Sequence, residues 1–159
     1  MSGSIESVDS CTIQKDFCQK LKQLELFKKD RVLVADDEEF CIASMKAILK
    51  KSGFDINNRL DICINGQEML DLVRNSYNQG ISFKLIFSDF SMPGLNGVDA
   101  VREIRAFFES QNVPESMQPY IIGVTGHVHK DFTDIGLKAG MDEIVSKPLY
   151  YPTMLRIIT

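Results

Sequence analysis

Five short apolar runs, at 32–35, 60–64, 85–87, 120–124 and 143–145, constrain the fold of this chain more than any other feature. Each is too short for a buried helix, and the stretches between them carry apolar residues at three- and four-residue spacing. Those stretches are 38–51 (Ile42, Met45, Ile48, Leu49), 67–77 (Leu70, Val73), 98–108 (Val101, Ile104, Phe108) and 130–139, with a last helix from Pro152, where proline suits a first helical turn. Strands that alternate with helices pair in parallel, because a parallel neighbour is reached only through a crossover. The pattern therefore predicts an α/β fold around one parallel five-stranded sheet. The run at 60–64 sets Asp61 and Cys63 against Leu60, Ile62 and Ile64, as an edge strand does, whereas three others are apolar almost throughout, as central strands are. Gly53, Gly66 and Gly140 fall at element ends, as helix stops and turns.

The 159 residues make about one domain. We divide them into residues 1–29, an N-terminal tail and amphipathic linker helix, and 30–159, the α/β domain. Met-Ser-Gly-Ser reads as a tag remnant or a disordered tail. Phe17, Leu21 and Leu24 share one face of a predicted helix over 15–29, read as a linker packing on a neighbour. The polar stretch 109–119 reads as a variable surface loop. A net charge of −4 and a pI near 5.2 argue against a nucleic-acid partner. No apolar run approaches the ~18–20 residues that cross a bilayer, so this segment is expected to make no membrane contact. Cys11, Cys18, Cys41 and Cys63 form no C-x-x-C pair and read as free thiols of a reducing, cytoplasmic compartment. His127 and His129 read as part of a solvated loop rather than a metal site.

Function is written where the apolar runs stop. The first ends in Asp36-Asp37, the third in Asp89, the fourth in Thr125 and the fifth in Lys147-Pro148. In an open parallel sheet these carboxyl ends share one edge, where ligands bind. Singly, each residue has a structural reading: Asp36-x-x-Glu39 has capping-box spacing, Thr125 suits a turn, and Lys147 suits a solvated end. Jointly those readings fail, because three carboxylates at one site repel one another and Lys147 alone does not balance them. A hard divalent cation with oxygen ligands does, which points to Mg²⁺. Mg²⁺ beside a carboxylate, a lysine and a hydroxyl is equipment for phosphoryl transfer, with a carboxylate as nucleophile. Asp89 stands alone and is the expected nucleophile; Asp36 and Asp37 are paired and suit the metal. Pro93, Gly94 and Gly97 then let the loop curl, Pro93 by fixing its φ and the glycines by permitting positive φ. Such a loop would turn the Ser91 carbonyl toward the metal.

These residues, Asp36-Asp37, D-F-S-M-P-G-L-N-G from Asp89 to Gly97, Val124-Thr125-Gly126 and Lys147-Pro148, resemble the receiver domain of two-component signalling proteins in order and approximate spacing. The resemblance covers about Arg31 to Thr159, and T-G-H-V-H-K with the later K-A-G-M-D-E-I-V-S-K-P looks most like the receivers of hybrid histidine kinases. It implies a flavodoxin-like (βα)5 three-layer sandwich with sheet order 2-1-3-4-5. It implies that Asp89 takes a phosphoryl group from a phosphohistidine on a histidine kinase or histidine phosphotransfer domain and joins Asp36, Asp37 and the Ser91 carbonyl around Mg²⁺. Thr125 would hydrogen-bond the phosphoryl group, Lys147 would contact one of its oxygens, and the Lys147–Pro148 bond would be cis. Such a domain assists its own modification and is not otherwise an enzyme.

Two positions depart from the family pattern. Ile144 stands where many relatives carry an aromatic switch residue, and Gly126 where alanine is usual. The competing readings are a receiver-like binding module that is not phosphorylated, an aspartyl-phosphate phosphatase and a flavin-binding fold. Ser91 occupies the position of that phosphatase's second aspartate, and no phosphate-cradling loop follows the first strand. The absence of an output-like segment after Lys147 leads us to expect a stand-alone receiver or a piece of a larger hybrid kinase, whose parent could be membrane-attached. Homodimer formation is left open.

Overall fold

The computed structural model describes residues 31–127 and 129–153. The helix expected over 15–29, with Cys11 and Cys18, lies outside these described residues. Five strands, β1 (Arg31–Ala35), β2 (Leu60–Cys63), β3 (Phe83–Asp89), β4 (Tyr120–Thr125) and β5 (Glu143–Ser146), form one sheet in the order β2-β1-β3-β4-β5, every pair parallel. Between them lie α1 (Glu39–Lys51), a short α2 (Ile56–Arg59), α3 (Gly66–Asn78), α4 (Gly97–Ser110) and α5 (Lys130–Ala139). This is the flavodoxin-like order, with β2 at the edge as its alternating polar residues require.

Side-chain alternation along the strands builds two cores. Leu33 and Ala35 of β1 point one way and pack with Ile86, Ile121, Met69 and Ile104 beneath α3 and α4. Val32 and Val34 point the other way and meet Phe87, Ile122, Met45 and Leu49 beneath α1. Burying one such side chain fully is worth about 1.5–3 kcal/mol, so a sheet covered on both faces is a stiff platform. The register of β1 on β3 slips between Arg31 and Val32, which pair with Phe83 and Leu85. That bulge at Lys84 leaves Phe83 in the α3–α4 core while Lys84 stays exposed.

The sequence pattern missed α2. Its signal is Asp55, whose side chain accepts the Asn58 N–H at 3.2 Å and caps a single turn. The stretch 109–119 is also less open than expected: α4 runs on to Ser110, and Glu115–Met117 forms a 3-10 turn behind Pro114. Gly140 ends α5 at φ 114°, as a left-handed stop should, whereas Gly66 opens α3 instead of stopping a helix. Residues 151–153 are helical, consistent with the final helix as far as it is described. Cys41 and Cys63 are free thiols; burial is the main cause that pushes Cys63 up to about 12.

Candidate functional site

Strand register brings the polar ends together. Ala35 is level with Ser88, Asp89 with Val124, and Thr125 with Ser146, so Asp36, Asp89, Thr125 and Lys147 emerge along one sheet edge. Asp36 is tied to β2 by its N–H on the Cys63 carbonyl (3.1 Å), and Lys147 to β4 by its N–H on the Thr125 carbonyl (2.8 Å). Asp36, Asp89 and Thr125 are buried, at 5%, 6% and 4% exposure, although two of them are acids. Asp37 is exposed beside them.

Lys147 is the hinge of the cluster. Its Nζ lies 3.0 Å from Asp36 Oδ2, 3.1 Å from Asp89 Oδ2 and 3.5 Å from Glu38 Oε1. Burial works against the charged amine, but Asp36 and Asp89 outweigh it and hold Lys147 above the ordinary lysine range. For Asp89 the balance runs the other way. Burial first, then the negative charge of Asp36, raise its carboxyl, and Lys147 with the Ser91 N–H (3.4 Å to Oδ1) offsets this only in part. An acid held up in this way retains excess negative potential that a further cation would relieve.

Carboxylate oxygens of Asp36, Asp37, Glu38 and Asp89 all lie within 4.8 Å of one another. Four clustered carboxylates, three of them facing one ammonium, are hard oxygen donors partly open to solvent and suit Mg²⁺ with retained waters. Glu38 lies outside the expected set, because its position opens a helical pattern. The signal was the unbroken acidic run from Asp36 to Glu39. Asp36 does not cap α1: its Oδ1 accepts the Glu38 N–H at 2.9 Å, and the N-cap position is Glu38, which makes no side-chain cap. Its carboxylate thus folds the β1–α1 turn back on itself and faces the cluster.

The loop after Asp89 is fastened at both ends. Phe90 and Met92 are buried, leaving Ser91 between them exposed. Gly94 takes φ +70°, as the curl requires. Gly97 has a different reason from the one expected. It does not take the left-handed conformation, but a Cβ there would sit 1.7 Å from the Asp89 carbonyl oxygen. Its N–H reaches the Phe90 carbonyl at 3.0 Å, so α4 starts directly against the end of β3. Asn96 caps that helix through the Asp99 N–H at 2.8 Å.

On the far side, the Thr125 hydroxyl accepts the His127 N–H at 3.1 Å. The Lys147–Pro148 peptide is cis. Ile144 is half-buried, and a Cβ on Gly123 would come 2.9 Å from its Cδ1, so an aliphatic side chain fills the space next to Phe90.

The profile of the response regulator receiver domain matches residues 32–159. The chain belongs to this family. As a receiver domain it is 34% identical over 131 residues to hybrid signal transduction histidine kinase I of Dictyostelium discoideum, and that match covers 80% of this chain and 7% of the relative. It is 28% identical over 127 residues to the aerobic respiration control sensor protein ArcB of Escherichia coli, covering 80% of this chain and 14% of that protein. The receiver thus spans a small part of the curated relatives it matches first. Among solved structures, the receiver domain of the histidine kinase CKI1 from Arabidopsis thaliana, complexed with Mg²⁺, superposes with a TM-score of 0.68 at 32% identity, covering 85% of this chain and 95% of that one.

Proposed function

We propose that this receiver is a phosphoacceptor of a two-component phosphorelay, with Asp89 as the residue modified in a Mg²⁺-dependent reaction. The observation that carries the reading is Asp89 itself. It is a buried acid at the end of a central strand, 3.1 Å from Lys147, in a cluster where carboxylates outnumber ammonium groups. The donor is a phosphohistidine on a histidine kinase or histidine phosphotransfer domain. An Asp89 carboxylate oxygen forms the new P–O bond as the P–N bond breaks, and the departing imidazole takes up a proton, leaving an acyl phosphate. Bound Mg²⁺ supplies positive charge to the phosphoryl oxygens. Asp36, Asp37 and the Ser91 carbonyl would hold it together with Asp89, and Glu38 lies close enough to contribute. Lys147 neutralises a phosphoryl oxygen, and the Thr125 hydroxyl donates to another, exchanging its contact with the His127 N–H for one with the new group. That exchange would draw the β4–α5 loop toward Asp89, and with Ile144 in place of an aromatic the switch rests on this loop.

The CKI1 receiver, crystallised both with Mg²⁺ and with Mg²⁺ and BeF₃⁻, supports this reading. The domain assists its own phosphorylation and slow hydrolysis and turns over no separate substrate. We assign residues 30–159 to the receiver and residues 1–29 to a preceding tail and linker. No helix of the described residues is long and apolar enough to cross a membrane, and we place the domain in the cytoplasm, where phosphohistidine donors act.

Incubation with Mg²⁺ and acetyl phosphate tests the assignment by mass spectrometry. One phosphoryl group, acid-stable and base-labile, is expected on the wild type and none on a folded Asp89→Asn variant. An adduct that survives in Asp89→Asn would overturn Asp89, and no adduct from either acetyl phosphate or a phosphohistidine donor would favour the non-phosphorylated module.

A further inference from the structure

At the opposite, amino end of the sheet a groove of about 460 Å³ opens between α3, the start of β3 and the stretch that follows α4. Its floor is apolar: Tyr77, Phe83, Phe108 and Val113, with Tyr77 and Phe108 packed edge to face at 5.9 Å. Ile81 and Met117 stand on its rim at 38% and 71% exposure, costly places for large apolar side chains unless something covers them. Among the described residues that line it, Lys84 is the only charged one. The groove therefore offers an occupant apolar contact, and any lysines of that occupant must face solvent.

Where the chain enters the fold points to the occupant. The first described residue, Arg31, donates its N–H to the Ser82 carbonyl at 3.3 Å and pairs with Phe83. Arg31 therefore enters the sheet on the lip of this groove, which both Ser82 and Phe83 line. The segment leading to that point carries Phe17, Leu21 and Leu24 at helical spacing, with Lys and Gln between them. A helix over 15–29 would be about 22 Å long.

We infer that residues 15–29 of the same chain dock on this groove, laying the Phe17–Leu21–Leu24 face over Tyr77, Phe108 and Val113 beneath the Ile81 and Met117 rim. Such a contact couples whatever precedes the receiver to the amino end of β3, the strand that carries Asp89 at its other end. The inference does not depend on Asp89 chemistry. A receiver that is never phosphorylated would still show it.

Hydrogen exchange on the full-length chain, followed by mass spectrometry, tests it. Peptides covering 15–29 are expected to exchange at least ~10-fold more slowly than an unstructured segment. Met117→Asp in the groove and Leu21→Asp in the segment should each abolish that protection, while peptides from β3 and β4 stay protected and report an intact fold. Ile81→Asp should act like Met117→Asp. An unprotected 15–29 would overturn the proposal, and so would protection that survives both groove substitutions. Protection that grows with protein concentration would assign the groove to a second copy instead.

Discussion

The two ends of the sheet handle charge in opposite ways. At the amino end Arg105 reaches the Gly140 carbonyl at 2.9 Å, the Gln118 side chain at 2.9 Å, the Pro119 carbonyl at 3.1 Å and Asp142 at 2.9 Å. Asp142 in turn accepts the Ile121 N–H at 2.7 Å. Burial pulls the guanidinium down somewhat, and Asp142 offsets part of this, so one cation and one anion answer each other. At the carboxyl end Lys147 faces Asp36, Glu38 and Asp89 with Asp37 beside them, and the charges do not balance. The satisfied network ties α4, α5 and the start of β4 together; the unsatisfied one is left with capacity for a ligand. An acid perturbed both by burial and by a specific charged neighbour, as Asp89 is, marks a candidate site.

If that contrast is right, substitutions at the two ends should separate stability from chemistry. Arg105→Leu should cost about 2–3 kcal/mol, chiefly because it leaves two carbonyls without their donor; the lost pair with Asp142, which is exposed, adds little. Urea denaturation measures that loss. The same variant, while folded, should accept a phosphoryl group from acetyl phosphate at the wild-type rate. A large fall in that rate would mean that the two ends are not independent.

Lys147→Met is the mirror experiment. The amine faces both Asp36 and Asp89, and its removal should slow phosphorylation about 10²-fold, as loss of one oriented donor to a developing charge typically does. Time courses with saturating Mg²⁺ read this directly. An unchanged rate would show that Lys147 serves the resting cluster and not the transferred group.

Removing and restoring the metal is a smaller, reversible test. Excess carboxylate should make the folded domain bind Mg²⁺, and at a hundredfold excess over Kd the domain should gain about 2.7 kcal/mol. Thermal melts with and without Mg²⁺ measure the shift. Asp37→Asn should lose most of it while leaving the metal-free melt near that of the wild type, since Asp37 is exposed and outside the Lys147 ion pairs. Equal Mg²⁺ stabilisation in Asp37→Asn would move the ligand role to Glu38.

The sheet and most of the site were legible in the sequence for one physical reason: side-chain period reports burial, and parallel strands end along a common edge. Five apolar runs thus fixed the strand order's edge and the convergence of Asp36, Asp89, Thr125 and Lys147. What escaped was set by backbone contacts that leave no period. Gly97 is glycine because the Asp89 carbonyl lies against it, and Asp36 closes a turn on the Glu38 N–H instead of capping α1. Glu38 hid inside a helical pattern, and only the chain's path through the turn brings its carboxylate to Lys147.

The smallest effect expected is at Gly126, and it bears on the loop that the proposed switch uses. Among the described residues nothing lies within 4 Å of a Cβ built there, and its φ lies outside the left-handed range. Gly126→Ala should therefore stabilise the domain by about 0.4–1 kcal/mol through a narrower unfolded ensemble. The informative readout is kinetic. If the β4–α5 loop must move inward with Thr125, alanine at 126 restricts the conformations it passes through, and the phosphorylated form should differ from wild type in its rate of hydrolysis. A stabilised variant with an unchanged hydrolysis rate would confine the switch to the Thr125 side chain and remove the loop from it.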